Sequence, residues 1–193
     1  SGIPADVLAT AAEAARNDGR DGWKLTLHQP CYGPVMQYAD DPALREAMYR
    51  ANFTRASEFG RPEWDNAPNI RRILELRAEA ARLLGYASYA EVSLATKMAR
   101  SPQEVLEFLE DLARRARPFA ERDMEELRAF ARAELGMGEV RACDVSYVSE
   151  KLRQRRYAFS DQEVKQYFPE DEVLAGMFRV VETIYGLRIR AAE

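Results

Sequence analysis

The chain has 193 residues, of which 47% are hydrophobic and 31% charged, with a formal net charge of −4. This length suits one sizeable domain, and the mild acidity gives no electrostatic footprint for binding nucleic acid or a membrane surface. No run approaches the roughly 20 apolar residues of a membrane span. No signal-peptide pattern follows Ser1, and we expect a chain that begins inside a longer gene product or at a cloning scar.

Cysteine and histidine are scarce. Cys31 and Cys143 are the only cysteines and His28 is the only histidine. Two cysteines do not make a disulfide framework, and they predict a reducing compartment. A single histidine nearly excludes a histidine-rich metal site or a catalytic triad made from this chain alone.

The N-terminal segment predicts a helix followed by a strand. Apolar residues at helical spacing predict a helix over 4–18, which Gly19 and Gly22 end. Residues 23–28 then alternate strictly between apolar and polar, and this is the one clear strand signal in the chain.

The next segment predicts a loop and a second helix. Pro30 and Pro34 bracket residues 31–33, so we expect a loop there. Asp41-Pro42 opens a helix that runs to about Phe59. Residues 60–66 are rich in turn formers and predict another loop.

Residues 70–112 read as a helical hairpin around which the chain is organised. Gly85 directly follows a periodic run and predicts a helix end at positive φ. Two capping boxes, Ser88 with Glu91 and Ser101 with Glu104, start the helices that follow. The periodic run predicts a helix with one buried face, and its residues at three-four spacing are Ile70, Ile73, Leu74, Arg77, Ala80, Ala81 and Leu84.

A long helical pattern extends from Pro102 to Leu135. Pro118 interrupts it by deleting one backbone hydrogen bond and crowding the preceding turn. Acidic residues precede basic ones on both sides of this proline, as a helix dipole favours. The pattern predicts either one kinked helix or two nearly continuous helices.

The C-terminal part predicts a loop over 136–143 and three further helical elements, the second of them short. Asp144 is the expected cap of a helix that runs to about Arg156. Ser160 with Glu163 forms a third capping box. A last helix stops at Gly186, and residues 187–190 begin to alternate as a strand would.

Two clusters in the sequence are candidate sites. His28 and Cys31, with Cys143 as a third ligand, could be imagined to bind zinc, but structural zinc wants four N or S ligands, so a metal-free interpretation is favoured. The basic run 151–156 could be a nucleic-acid patch, but a solvated helix face explains it better in a chain of net negative charge.

No motif for catalysis is present in the chain. Glu125 and Glu126 point to different sides of a helix, so they do not form an acid–base pair. Neither a Gly-rich phosphate loop, a G-x-S-x-G elbow nor an H-E-x-x-H motif occurs.

Ordered blocks along the whole chain resemble the thimet oligopeptidase and oligopeptidase A family of zinc metallopeptidases, with the bacterial oligopeptidase A branch the most similar. The blocks lie at residues 23–27, 30–36, 44–51, 54–57, 83–86, 93–99, 116–118, 144–147, 149–151 and 167–169. Many ordered blocks together are far more specific than any one of them.

The resemblance implies that residues 1–193 are a single helical segment from the middle of a longer cytoplasmic enzyme. Members of the family are nearly all helical, with a deep channel that admits short peptides. Their zinc is bound by two histidines of H-E-x-x-H and a further glutamate, and the motif glutamate activates water. That motif lies after the region present here. The resemblance therefore assigns no catalytic, cofactor-binding or metal residue to this chain.

The expected fold is all-α, built of antiparallel helical hairpins, with at most one or two short strands. The expected function is scaffold and channel wall in a zinc oligopeptidase, inactive when isolated. Its expected partners are short peptides and the missing catalytic half, without nucleic acid or membrane. The alternative is a non-catalytic helical binding module. We also expect Trp23, Leu25, Leu27 and some helix surface to be under-covered, with possible self-association.

Overall fold

The computed structural model describes residues 1–158 and 161–190, and these residues contain nine α-helices and no β-strand, which confirms the all-α prediction. Two 3-10 helices lie at Pro62–Trp64 and Ala142–Asp144. The chain forms two compact units, Ser1–Val148 and Ser149–Glu193, and each is described by itself. The helices are α1 (Ala5–Asn17), α2 (Gln29–Tyr38), α3 (Pro42–Phe53), α4 (Ala67–Leu83), α5 (Tyr89–Leu94), α6 (Pro102–Glu134), α7 (Val145–Tyr157), α8 (Asp161–Lys165) and α9 (Glu170–Tyr185).

The predicted strand over 23–28 is wrong. The segment has no strand partner among the described residues, and a lone strand is not stable in water. Its backbone is held locally instead: the Lys24 N–H donates to the Ala11 carbonyl at 2.9 Å, and the Thr26 N–H donates to Cys31 Sγ at 3.3 Å. The alternation of apolar and polar residues over 23–28 still places two leucines on the same side, and Leu25 and Leu27 both pack on the core.

The predicted strand start at 187–190 is wrong for the same reason. No strand forms there in the described part of the chain. The Ile189 N–H donates to Glu182 Oε1 at 2.8 Å, so the segment folds back on the end of α9.

The predicted loop around Pro30 and Pro34 is also wrong, because this segment is α2. Pro30 lies in the first turn, where a helix does not need the N–H that proline lacks. Pro34 lies inside the helix and removes one hydrogen bond. Burial of Val35 and Met36 offsets that loss, since each apolar side chain removed from water contributes on the order of 2 kcal/mol.

Helix α3 begins as predicted but ends early. The Asp41 carboxylate accepts from the Ala43 N–H at 2.9 Å, which is the expected cap. The helix stops at Phe53 and not near Phe59. A few residues later Ala56 has φ of 52°, a backbone conformation that no helix can pass through.

The helical hairpin has both of its predicted boundaries. Gly85 follows α4 with φ of 81°, and the Tyr86 N–H donates to the Ala81 carbonyl at 2.9 Å, which closes the turn. Ser88 Oγ accepts from the Glu91 N–H at 3.3 Å at the start of α5. Ser101 repeats the arrangement at the start of α6, accepting from the Glu104 N–H at 3.1 Å.

Helix α6 resolves the alternatives left by the sequence. It runs for 33 residues without interruption, with Pro118 inside it. At 1.5 Å per residue it is about 50 Å long.

Helix α9 ends at Gly186, which has φ of 65° as a left-handed cap requires. Ser160, of the third predicted capping box, lies outside the described residues.

The core of the first unit is small. Its buried cluster consists of Val35, Met36, Ala39, Met48 and Cys143, with Leu25, Leu27 and Tyr32 among the half-buried side chains around it. Helices α2 and α3 meet here with the Ala142–Asp144 turn. The core therefore joins residues about 100 positions apart in the chain.

A buried ion pair fastens this junction. The Arg45 and Asp144 side chains are each only 2% exposed, with Nη2 and Oδ1 2.8 Å apart. Arg45 Nη1 also donates to the carbonyls of Ala39 at 2.7 Å and Asp40 at 3.1 Å. Its guanidinium lies 4.1 Å from the centre of the Tyr147 ring. A buried charge is tolerated only when it is paired and hydrogen-bonded in this way.

Asp144 is held from two sides. Helix α7 begins directly after Asp144, as predicted. The Asp144 Oδ2 accepts hydrogen bonds from the backbone N–H and the Nε of Arg141, and its Oδ1 accepts from Arg45. Burial by itself raises the pKa of the Asp144 carboxyl. The hydrogen bonds from the two arginines outweigh burial and lower its pKa below 3.8.

The first prediction concerns Gly85. Because nothing lies within 4 Å of a Cβ placed there, Gly85→Ala is strained only by its positive φ. We expect a loss of about 1 kcal/mol in the free energy of unfolding, measured by urea titration. Gly138→Ala is the control, since its backbone is not left-handed and its surroundings are open. Equal stability of the two variants would contradict the prediction.

The second prediction concerns the buried pair. Arg45→Met leaves Asp144 without its buried partner and should cost about 3 kcal/mol in unfolding free energy. Arg50→Met on the same helix, at an exposed position, should change it by less than about 0.5 kcal/mol. The double variant Arg45→Met/Asp144→Leu should recover part of the loss. A cost for Arg45→Met no larger than for Arg50→Met would contradict the prediction.

The third prediction is a pH dependence. Since the folded-state pKa of Asp144 lies below the unfolded value of 3.8, its contribution to stability is fully present above that pH and is lost as pH falls through the folded value. The stability gap between the unaltered chain and Asp144→Asn should therefore narrow below pH 3.8. This difference in stability is measured by acid titration of both proteins, followed by circular dichroism. A difference that widens in acid would contradict the prediction.

Candidate functional site

The residues weighed as zinc ligands do not assemble a site. His28 is exposed just before α2, and Cys31 accepts a backbone hydrogen bond from Thr26. Cys143 lies in the core cluster, and burial raises the pKa of its thiol, so it stays protonated near neutral pH. Among the described residues, no group of three or more His, Cys, Asp or Glu side chains is placed to hold a metal ion.

A shallow depression of about 440 Å³ lies beside Cys143. Its walls include Tyr49, Phe53 and Phe59, and the first two rings stack with their centres 4.3 Å apart. Arg141 on its rim is already engaged with Glu46 at 2.6 Å. The depression offers apolar surface, but its thiol is protonated and its rim charge is paired, so it carries no nucleophile.

The basic run 151–156 is partly neutralised within its own unit. Glu150 is 4% exposed and accepts from Arg153 at 2.6 Å and from Gln154 at 2.8 Å. Arg155 and Arg156 are exposed. This geometry suits a solvated helix face; the exclusion of nucleic acid stays a prediction.

The most unusual feature is the amount of exposed surface. The chain exposes 15,114 Å², whereas a compact 22-kDa protein exposes about 9,300 Å². Even when the two units are counted as separate globules, compact proteins of their sizes expose about 11,000 Å² together. At least about 4,000 Å² of surface therefore lacks the cover that a folded protein of this length normally has.

Much of this surface is apolar and lies on helices. The α4 face predicted to be buried is mostly exposed, since of its periodic residues only Ala81 is fully buried. Trp23 is 64% exposed, as expected, whereas Leu25 and Leu27 are half-buried. We call the following residues the apolar helix faces: Ile70, Ile73 and Leu74 of α4, Leu109, Leu112 and Phe119 of α6, and Val173, Leu174, Met177 and Phe178 of α9.

These faces are the candidate functional site. Large exposed apolar patches mark surfaces that pack against another element or another protein. Their hydrophobic side chains can bury area but cannot transfer protons, and none of them is a residue type that ligates zinc in proteins. Among the described residues, no helix combines the length and apolarity that crossing a bilayer requires.

Sequence reasoning missed two parts of this arrangement. The pairing of Arg45 with Asp144 spans 99 positions, and one sequence carries no signal for a contact at that separation. The exposure of the α4 face was missed because periodicity shows that a helix has an apolar face but not what covers it.

Comparison with known proteins identifies the family. Residues 35–193 match the sequence model of Peptidase family M3. The chain is 50% identical over 189 residues to "Oligopeptidase A" of Salmonella typhimurium (strain LT2) and to "Oligopeptidase A" of Escherichia coli (strain K12). It is 39% identical over 202 residues to "Organellar oligopeptidase A, chloroplastic/mitochondrial" of Arabidopsis thaliana.

The coverage of these relatives is uneven. The two bacterial alignments include 97% of this chain but only 28% of each relative. The plant alignment includes 100% of this chain and 25% of the relative. The chain thus spans about a quarter of the length of the curated relatives that it matches. Because the family match covers most of the sequence, from residue 35 to residue 193, the chain belongs to peptidase family M3.

Proposed function

We propose that the chain is a scaffold segment of a longer, cytoplasmic, zinc-dependent oligopeptidase that hydrolyses short peptides. In that protein it forms part of the wall of the substrate channel and supports the catalytic part. By itself it is inactive. Membership of the peptidase family and the names of the oligopeptidase relatives support the activity of the whole protein.

The observation that carries the scaffold role is the uncovered surface. Obligate dimers commonly bury about 2,000–5,000 Å² in total, or about 1,000–2,500 Å² on each chain. The excess on this chain is at least about 4,000 Å². A dimer interface of that ordinary size would leave about 1,500 Å² or more of the excess uncovered, whereas a polypeptide of the relatives' length, of which this chain matches 28%, could cover it.

Zinc does not fit the residues that the structure describes. Hydrolytic zinc sites use three protein ligands with an open position for water, and the described residues hold no such group. No step of the hydrolysis is therefore derived from them. What they supply is a rigid support: the Arg45–Asp144 pair and the core around it fix α2 and α3 against the start of α7.

A non-catalytic helical binding module is the second candidate. The apolar helix faces favour it, because they would serve a separate partner as well as a missing part of the same chain. The reading frame separates the two candidates. An H-E-x-x-H motif encoded in frame after Glu193 supports the peptidase, and a stop codon there supports the module. A nucleic-acid adaptor built on residues 151–156 is a distant third.

The fourth prediction is that the isolated 193-residue chain hydrolyses no peptide, with or without added zinc. It has one histidine, and zinc hydrolases need several ligands around one metal ion. A quenched fluorescent peptide is the assay, with the longer polypeptide that contains this chain as the control. The longer protein should cleave it and lose activity with a chelator. Chelator-sensitive cleavage by the pure isolated chain would overturn the scaffold role.

A further inference from the structure

One of the apolar helix faces has a more specific pattern than the others. In the first half of α6, apolar residues recur at alternating spacings of four and three, at Val105, Leu109, Leu112, Ala116 and Phe119. We call these five residues the α6 stripe. This is the seven-residue repeat with which one helix packs lengthwise against another, each side chain fitting between four of the facing helix.

The α6 stripe has little cover in this chain. Leu109 is 51% exposed, Leu112 is 52% exposed and Phe119 is 61% exposed. The other side of the same helix is charged and already satisfied locally, for example by the pair of Arg117 with Glu121 at 2.8 Å. The helix is therefore two-sided, and its apolar side lacks an occupant.

The stripe has a defined end. Continuing the same spacing beyond Phe119 would reach Asp123 and Glu126, which are charged. The apolar positions shift by one residue instead, to Met124, Leu127 and Ala131, and these are half-buried or buried. The change of register falls next to Pro118. The stripe thus spans 15 residues, about 21 Å of helix. Its first residue, Val105, is half-buried, and its exposed part runs from Leu109 to Phe119.

We infer that the α6 stripe is the docking face for an amphipathic α-helix of about 15 residues that belongs to the same, longer polypeptide. The inference rests on the proposed function. A helix is the occupant because the four-three spacing suits a helix laid along α6, whereas a strand repeats every two residues. The same polypeptide supplies it because this chain matches only 28% of the length of each bacterial relative, whereas an obligate dimer of ordinary size would leave about 1,500 Å² or more of the excess uncovered.

The fifth prediction tests the stripe by the reactivity of an introduced thiol. Leu112→Cys places the thiol in the stripe, and Glu110→Cys places the matched control on the charged side of the same helix. Maleimide labelling is followed in the isolated chain and in the longer polypeptide, with each unsubstituted protein as the baseline for native cysteines. We expect similar labelling of both variants in the isolated chain. In the longer polypeptide, the labelling rate of Leu112→Cys should fall by at least about tenfold, while the labelling rate of Glu110→Cys stays unchanged.

Two results would overturn the inference. Equal labelling of Leu112→Cys in both proteins would show that the stripe stays uncovered. Protection that grows with concentration in the isolated chain would make a second copy the occupant. Leu109→Cys provides a second position, and circular dichroism checks that each variant keeps its helix content.

The result is distinguishable from failure of the proposed function. Zinc-dependent hydrolysis is measured on the same longer polypeptide. A protected stripe without hydrolysis would contradict the peptidase and retain the docking helix. Hydrolysis with an unprotected stripe would support the peptidase and contradict the docking helix.

Discussion

The buried pair of Arg45 with Asp144 is the interaction on which the first unit depends. It joins two segments 99 residues apart at a 2.8 Å separation, with both side chains out of solvent. Removing a charge from water costs several kcal/mol unless a partner and hydrogen bonds replace the lost hydration. Arg45 meets that condition with the Asp144 carboxylate and two backbone carbonyls. Any arrangement that separates α3 from the Ala142–Asp144 turn removes the carboxylate partner of Arg45 and leaves Asp144 with Arg141 alone.

The same region contains the buried hydrophobic cluster of the first unit. Val35, Met36, Met48 and Cys143 form one cluster directly beside the ion pair. Away from it, α4, α6 and α9 keep their shape through backbone hydrogen bonds and caps while their apolar sides face solvent. These helices therefore form although their apolar sides are not buried. That missing burial is the physical basis for proposing that the chain belongs to a larger fold.

The division of labour in the proposed peptidase follows from these facts. Catalysis by zinc needs a ligand set that the described residues do not provide. A scaffold needs long, well-capped helices and a rigid joint, and both are present. Family membership states what kind of protein this is, and the uncovered surface supports the proposal that the chain packs against further polypeptide.

The sequence by itself determined most of the helices and several of their ends, although it missed α2 and placed the end of α3 too late. Serine caps at Ser88 and Ser101 and the glycine stop at Gly85 were readable because each depends on a few adjacent residues. Only the tertiary structure decided that residues 23–28 are not a strand and that Pro30 and Pro34 lie in a helix. A strand exists only if a second strand pairs with it, and a proline is tolerated only if packing offsets the lost bond. The Arg45–Asp144 pair and the exposure of the α4 face were likewise beyond one sequence, because burial and long-range pairing depend on which surfaces meet in space.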